Sequence, residues 1–356
     1  MSIEDRIRPG ANQYVSAEHA LDELPDLLTP FHHPVIITGD KSYAAFTAHS
    51  NTTFDYPVLR YDGSASDEDG QRLADQAPDA DVIIGIGGGR VLDTAKVSAE
   101  VLAIPIITVP TLASNCAPYT PIGAIYHQDH TFKRVAYFSQ APYATVVDWS
   151  LILDAPRDYF IAGIGDTLAK WYEIQGIVAT LDHPLPAFNQ LGYLAAQNIR
   201  EVITDHALNA THDFDDHHLT QELVDVIDAI IGIAGTVGGF AMAYGRVSGA
   251  HAIHNGLSYI NETHAILHGS KVAYGILVQL AYTGQTDEIE SLLPLYHALG
   301  LPTTLADLNV TTQPIAPVAE WAARPQESFK LIDPAVTPDK IEAAIDAVEK
   351  VTTVAH

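Results

Sequence analysis

Short β-rich runs alternate with helical stretches over the first 148 residues and then almost cease, and this break constrains the fold more than any other feature of the chain. The runs are PVIITGD (34–40), YPVLRY (56–61), DVIIGIG (81–87), PIITVP (105–110) and ATVVD (144–148). Strands separated by helix-length connections predict a parallel, doubly wound sheet, because parallel neighbours need long crossovers. Segment 123–138, GAIYHQDHTFKRVAYF, holds two β-like runs around a polar turn and predicts a hairpin that interrupts the winding. Beyond 148, apolar-periodic segments such as 185–203 and 219–244 predict a helical bundle, with Gly232, Gly235, Gly238 and Gly239 suited to close packing. The expectation is an α/β chain, with a sheet domain over 1–152 and an all-helical domain over 153–356. Segment 210–218, ATHDFDDHH, reads as an exposed loop with solvated histidines.

The bulk numbers narrow the functions open to such a chain. At 356 residues, 47% of them hydrophobic, it is long enough for two cores. The start, MSIEDRIRPG, is polar, and no run approaches the ~18 to 20 consecutive apolar residues of a membrane span, so a cytoplasmic protein with no membrane partner is expected. The 44 acidic residues against 18 basic ones give a formal charge of −26, which repels a phosphate backbone and excludes nucleic acid as a natural partner. A small-molecule substrate is expected, in a homo-oligomer. With one cysteine, Cys116, no intrachain disulfide can form, and any metal site must use histidine and carboxylate.

Two stretches carry candidate chemistry in the first half. In DVIIGIGGGRVLDTAK an apolar strand runs into Gly85, Gly87, Gly88 and Gly89 and then a helix. Residues without a Cβ let backbone amides approach a pyrophosphate, and the helix N-terminus supplies unpaired N–H groups and partial positive charge. Arg90 adds a cation, and Asp93 lies in the same segment. Arginine at position 90 breaks the G-x-G-x-x-G spacing, and a tight strand-to-helix turn would use the same glycines. Asp40, at the end of PVIITGD, suits the hydroxyls of an adenosine ribose and would repel a 2′-phosphate, favouring NAD over NADP; the alternative is an exposed turn aspartate. PTLASNCAPYTP (110–121) falls at the same carboxyl edge of the sheet, where Thr111, Ser114 and Thr120 are candidate cofactor contacts or ordinary loop hydrogen-bonders.

The second half holds GIGDTLAKWYE (163–173) and SGAHAIHNGLSYINETHAILHGSKVAYG (248–275). Both histidine groups sit in apolar, small-residue surroundings. His251 and His254, three apart, can share a helix face, and His268 opens a further helical stretch. One aspartate with two histidines would suit Zn or Fe(II) and leave a position for a substrate oxygen, although each histidine taken alone is as well read as a hydrogen-bonded core or surface residue.

Taken together, GIGGGRVLDTAK, VPTLASNCAP, VVDWSLILDAPRDYFIAGIGDTLAKWYE, HAIHNGLS and HGSKVAYGILVQL resemble, in order and spacing, the iron-containing (group III) alcohol dehydrogenases, and within them the glycerol dehydrogenase-like branch. The resemblance spans nearly the whole chain. It implies a Rossmann-like sheet domain followed by a helical domain, the dehydroquinate synthase-like architecture, with NAD(P) in the cleft. It also implies one divalent metal, Zn or Fe(II), held by Asp166, His251 and His268. The metal would polarise an alcohol oxygen while hydride passes to the nicotinamide. Tyr126 matches a position near the nicotinamide, and His254 is implied as a proton relay or substrate contact.

The chain departs from that pattern in two places. Similar glycerol dehydrogenases carry an aspartate that contacts the polyol where this chain has Cys116, preceded by Asn115, and Arg90 replaces a more frequent lysine. A cysteine cannot hold glycerol hydroxyls as a carboxylate does, and losing the anion removes repulsion toward an acidic substrate. Lys170 and Arg246 are then candidate carboxylate partners. The expectation is an NAD(P)-linked oxidoreductase for a small hydroxycarboxylate/2-oxoacid pair. The alternatives are a polyol dehydrogenase, or a non-catalytic nucleotide- and metal-binding protein.

Overall fold

The computed structural model describes residues 2–312 and 314–354. Six strands form one parallel sheet and two form a separate hairpin: β1 Tyr14–Ala17, β2 Pro34–Thr38, β3 Val58–Arg60, β4 Val82–Gly87, β5 Ile106–Pro110, β6 Ile122–Tyr126, β7 Phe132–Tyr137 and β8 Ala144–Asp148. The sheet runs β1-β8-β5-β4-β2-β3. β2, β4, β5 and β8 are buried along their whole length, as the near-continuous Val/Ile runs require of strands covered on both faces. Ile36, Ile84, Ile86 and Val109 pack on one side and Ile37, Ile83, Ala95 and Ile106 on the other. The hairpin β6–β7 is antiparallel, as the sequence predicts.

Helices α1 Leu24–Leu28, α2 Asp40–His49, α3 Asp67–Asp75, α4 Gly89–Leu102 and α5 Trp149–Leu153 belong to the sheet half. The rest is helical: α6 Arg157–Val178, α7 Ala187–Asp215, α8 Gln221–Asp228, α9 Ala234–Ala241, α10 Gly249–Leu257, α11 His268–Tyr282, α12 Thr286–Leu299, α13 Ala316–Ala322 and α14 Pro338–Val354. The strands end at Asp148, but the largest apolar cluster joins Ala113, Val147 and Ile152 to Ile164, Ile230 and Val272 of the bundle, so the two halves share packing. Polar contacts reinforce the seam: Tyr14 and Ser16 both donate to Asp228, at 2.8 and 2.6 Å, across a π-turn at Ala229–Ile233.

Three sequence expectations change here. β1 escapes the β-rich pattern because YVSA is short and only half buried, and pairs on one side only, with β8. The 210–218 loop shrinks to its last residues, since α7 continues to Asp215. Ile203, Ala207, Ala210, Thr211 and Phe214 keep a buried stripe at helical spacing, while His212, His217 and His218 are exposed as expected. The continuous helical segment Gln221–Tyr244 is long and apolar enough to cross a membrane by length and composition. Sixty-one per cent of its most apolar window is buried inside the fold, consistent with the apolar surface of a bundle helix.

Candidate active site

Glycines let α6 sit against two neighbours at once. A Cβ at Gly163 would stand 2.4 Å from the Ala113 carbonyl oxygen of the loop after β5, and one at Gly269 would strike the backbone of Ala162. These close approaches bring Asp166 of α6, His251 of α10 and His268 of α11 together, with one donor atom from each within 4.8 Å of the others. The Nε2 atoms of both histidines face the same Asp166 Oδ1, at 3.5 Å for His251 and 3.1 Å for His268.

Each imidazole is held from behind through Nδ1. Glu173, two turns along α6 from Asp166 and 1% exposed, receives His251 Nδ1 at 2.8 Å on Oε2. Its Oε1 accepts the backbone N–H groups of Ser248 and His251, capping α10. His268 Nδ1 lies 2.9 Å from His254 Nε2. His254 Nδ1 in turn faces Asn255 Oδ1 at 3.1 Å, and Asn255 donates to Glu327, which also accepts from Trp321. With Nδ1 carrying the proton in both rings, both Nε2 lone pairs are free for a cation. The set is closed on the Glu173 side and open on the other, where the His268 side chain is 47% exposed.

The electrostatics match. Burial works against an ionised Asp166, but His268 and His251 outweigh it and hold its pKa well below the usual carboxylate value. Burial lowers His251, yet Glu173 and Asp166 raise it to about 9 in the absence of a cation. Burial, His268 and Lys271 together push His254 well below the ordinary histidine value. A trio of one anion and two imidazoles, uncompensated apart from protons, is a fitting donor set for a divalent ion.

Around the trio, the structure sorts the other predicted residues. Cys116 lies close enough to Lys170 and Asp166 to feel both charges; burial raises its thiol pKa, against the pull of Lys170. Lys170, 8% exposed, donates to the Arg246 carbonyl at 2.7 Å. The Arg246 side chain, expected to face a substrate, instead donates to the Glu4 carbonyl and lies over the Tyr137 ring, because the residues after α9 turn it toward the N-terminal segment. His254 Nε2 lies 2.9 Å from His268 Nδ1, which places His254 behind a member of the trio. Lys271, which the sequence reading did not single out, is 7% exposed, and its ammonium group has no hydrogen-bond or ion-pair partner among the described residues. Glu173 was equally unmarked, although its i, i+7 spacing from Asp166 puts the two on one helix face.

At the carboxyl edge of the sheet, Gly88 is the N-cap of α4 and Gly89 its first residue, with no side chain capping the first-turn N–H groups. Those amides suit a phosphate. The glycines have packing reasons as well, since a Cβ at Gly88 would stand 2.8 Å from Leu112 and one at Gly87 2.7 Å from Val91. Arg90 reaches the hairpin, lying over the Tyr126 ring and 3.2 Å from His130 Nδ1. Asp93 is fully engaged: one oxygen accepts from Lys96 and the other from the Ala124 N–H, so it fastens β6 to α4. Thr111 donates its N–H to Gly87, and Thr120 its N–H to Cys116, both within the loop that also carries Ser114. Asp40 opens α2 and accepts from Arg60 Nε at 2.8 Å.

The chain thus holds a parallel sheet with an uncapped glycine turn in one half and an Asp–His–His trio in the other. The chain belongs to the iron-containing alcohol dehydrogenase family. The model of that family, "Iron-containing alcohol dehydrogenase", matches residues 11–149. Hydroxycarboxylate dehydrogenase A of Escherichia coli K12 is 39% identical over 353 residues, covering 97% of each chain. A glycerol dehydrogenase of Pseudomonas putida is 31% identical, covering 96% of each. Among solved structures, a probable glycerol dehydrogenase from Sinorhizobium meliloti 1021 superposes with a TM-score of 0.88 at 27% identity, over 99% of this chain and 100% of that one.

Proposed function

We propose that the chain interconverts a small 2-hydroxycarboxylate and its 2-oxoacid, with hydride exchanged with a nicotinamide dinucleotide and one divalent ion, Zn or Fe(II), held by Asp166, His251 and His268. The bound ion supplies Lewis-acid polarisation of the reacting oxygen and the dinucleotide supplies or accepts the hydride. In the reductive direction 2-oxoacid, reduced dinucleotide and one proton give 2-hydroxyacid and oxidised dinucleotide.

The observation that carries the substrate reading is a pair of buried ammonium groups, Lys170 and Lys271, near the trio in a chain of formal charge −26. Buried cations favour an anionic ligand, since the attraction is weakly screened there. Lys271 has donors to spare for a substrate carboxylate. Cys116 leaves the neighbouring wall uncharged where an aspartate would repel that carboxylate. Glu173 and His254 fix the tautomers of His251 and His268, and the first-turn amides of α4 receive the pyrophosphate. The name of the E. coli relative, hydroxycarboxylate dehydrogenase A, supports the same substrate class.

The test is turnover of metal-loaded protein on 2-oxobutyrate, 2-oxoglutarate and glycerol, followed by the absorbance of the reduced nicotinamide. Turnover of the oxoacids is expected. Turnover of glycerol alone would favour a polyol dehydrogenase, the activity named for several relatives.

A further inference from the structure

Behind His268 the hydrogen bonds form a line that leaves the trio and ends on the flank of α13. Trp321 Nε1 donates to Glu327 Oε1 at 2.9 Å, and Asn255 Nδ2 donates to Glu327 Oε2 at 3.0 Å. Asn255 Oδ1 faces His254 Nδ1 at 3.1 Å, His254 Nε2 faces His268 Nδ1 at 2.9 Å, and His268 Nε2 faces Asp166 Oδ1 at 3.1 Å. The far end is braced. Trp321 packs against Tyr259 with ring centres 3.8 Å apart, and the Arg324 guanidinium lies 3.6 Å from the centre of the indole. Gly256 lets α13 close on α10, since a Cβ there would stand 2.6 Å from the Val318 carbonyl oxygen. Ser328, next to Glu327, donates to the carbonyl of Ser248, the N-cap of α10. Each Glu327 oxygen thus receives a donor, the arrangement of an ionised carboxylate.

The line has a direction, and Glu327 sets it. A carboxylate cannot donate, so Asn255 turns its amide nitrogen to Glu327 and its oxygen to His254. His254 then carries its proton on Nδ1, His268 donates from Nδ1, and the His268 Nε2 lone pair is left for a cation. With an amide at 327 the opposite direction would satisfy every contact equally well. That amide would donate to Asn255 Oδ1, Asn255 Nδ2 to His254 Nδ1, His254 Nε2 to His268 Nδ1, and His268 Nε2 to Asp166, which blocks the nitrogen that ligates. Resting on the metal reading above, we infer that Glu327 and Asn255 are positioning residues for His268: acting through His254, they exclude the reversed network and keep His268 Nε2 free of a proton.

Glu327→Gln admits both directions. Adding Asn255→Asp restores one, because the carboxylate at 255 then accepts from His254 on one oxygen and from the new amide on the other. The test measures zinc affinity by chelator competition, and the His254 tautomer by nitrogen NMR of the metal-free, histidine-labelled full-length protein. It compares wild type, Glu327→Gln and the double variant Glu327→Gln/Asn255→Asp, with thermal melting to confirm folding. Wild type is expected to hold the His254 proton on Nδ1. Glu327→Gln should shift that proton toward Nε2 and bind zinc about tenfold more weakly, and the double variant should recover both. A bracing role without direction would make the double variant weaker than the single one. That result, wild-type zinc affinity in folded Glu327→Gln, or a wild-type His254 proton on Nε2 overturns the inference and leaves the metal reading standing. Zinc binding by none of the three overturns both.

Discussion

His268 Nδ1 and His254 Nε2 lie 2.9 Å apart, and the contact assigns a tautomer to each ring. One of the two nitrogens must carry the proton. Asn255 Oδ1 faces His254 Nδ1 and Asn255 Nδ2 donates to Glu327, so the His254 proton sits on Nδ1 and its Nε2 accepts from His268. His268 is then left with its Nε2 lone pair pointing at the Asp166 side. The assignment comes from the connectivity of heavy atoms, as such assignments do.

If His254 orients His268 rather than relaying a proton, His254→Ala should weaken metal binding by about 10- to 100-fold while leaving kcat at saturating metal within a few-fold. Chelator competition combined with steady-state kinetics separates the two parameters. A large fall in kcat with unchanged metal affinity would restore the relay.

Glu173 carries two duties, and two substitutions separate them. Glu173→Gln keeps an oxygen for the Ser248 and His251 N–H groups but removes the charge behind His251, so metal affinity should fall with little change in melting temperature. Glu173→Ala also leaves those buried donors unpaired, at about 1–3 kcal/mol each, and should lower the melting temperature of metal-free protein by several degrees. Calorimetric metal titration and thermal melts read the two effects.

The metal-free protein should bind its ion more tightly as pH rises. His251 has a pKa of about 9 without the ion and must shed that proton to ligate, so affinity should climb by about tenfold per unit from pH 7 and level off above 9, with a proton released on binding. Stability of the metal-free fold should move oppositely. A histidine raised from 6.5 contributes fully below 6.5, and that contribution disappears as pH passes through 9. Metal titrations at several pH values in buffers of differing ionisation enthalpy count the proton.

Lys271→Met should raise KM for a 2-oxoacid by about 10-fold or more, the loss of one charge-assisted contact, while metal content and nucleotide affinity stay unchanged. An unchanged KM would remove Lys271 from the substrate site.

Most of the frame was legible because it rests on local patterns. The Val/Ile strands, the hairpin around 127–131 and the helical second half all follow from periodicity and turn residues. β1 was not, since a four-residue edge strand is made by its neighbour more than by its own composition. The metal trio was reachable only through resemblance, because nothing in local pattern brings Asp166 to residues about a hundred positions away. The supporting shell was harder still. Glu173, Asn255, Glu327 and Lys271 are ordinary polar residues until helix packing turns them toward His251 and His254. Arg246 failed for the same reason in reverse, since its chain position adjoins the site while its guanidinium points away.

The central claim is that Asp166, His251 and His268 hold one ion on which turnover depends. Elemental analysis and turnover, measured on the same preparations of wild type, Asp166→Ala, His251→Ala and His268→Ala, test it most directly. The wild type should carry one divalent ion per chain and reduce a 2-oxoacid, and each variant should lose both ion and turnover while remaining folded. A folded variant that kept its ion and its rate would contradict it.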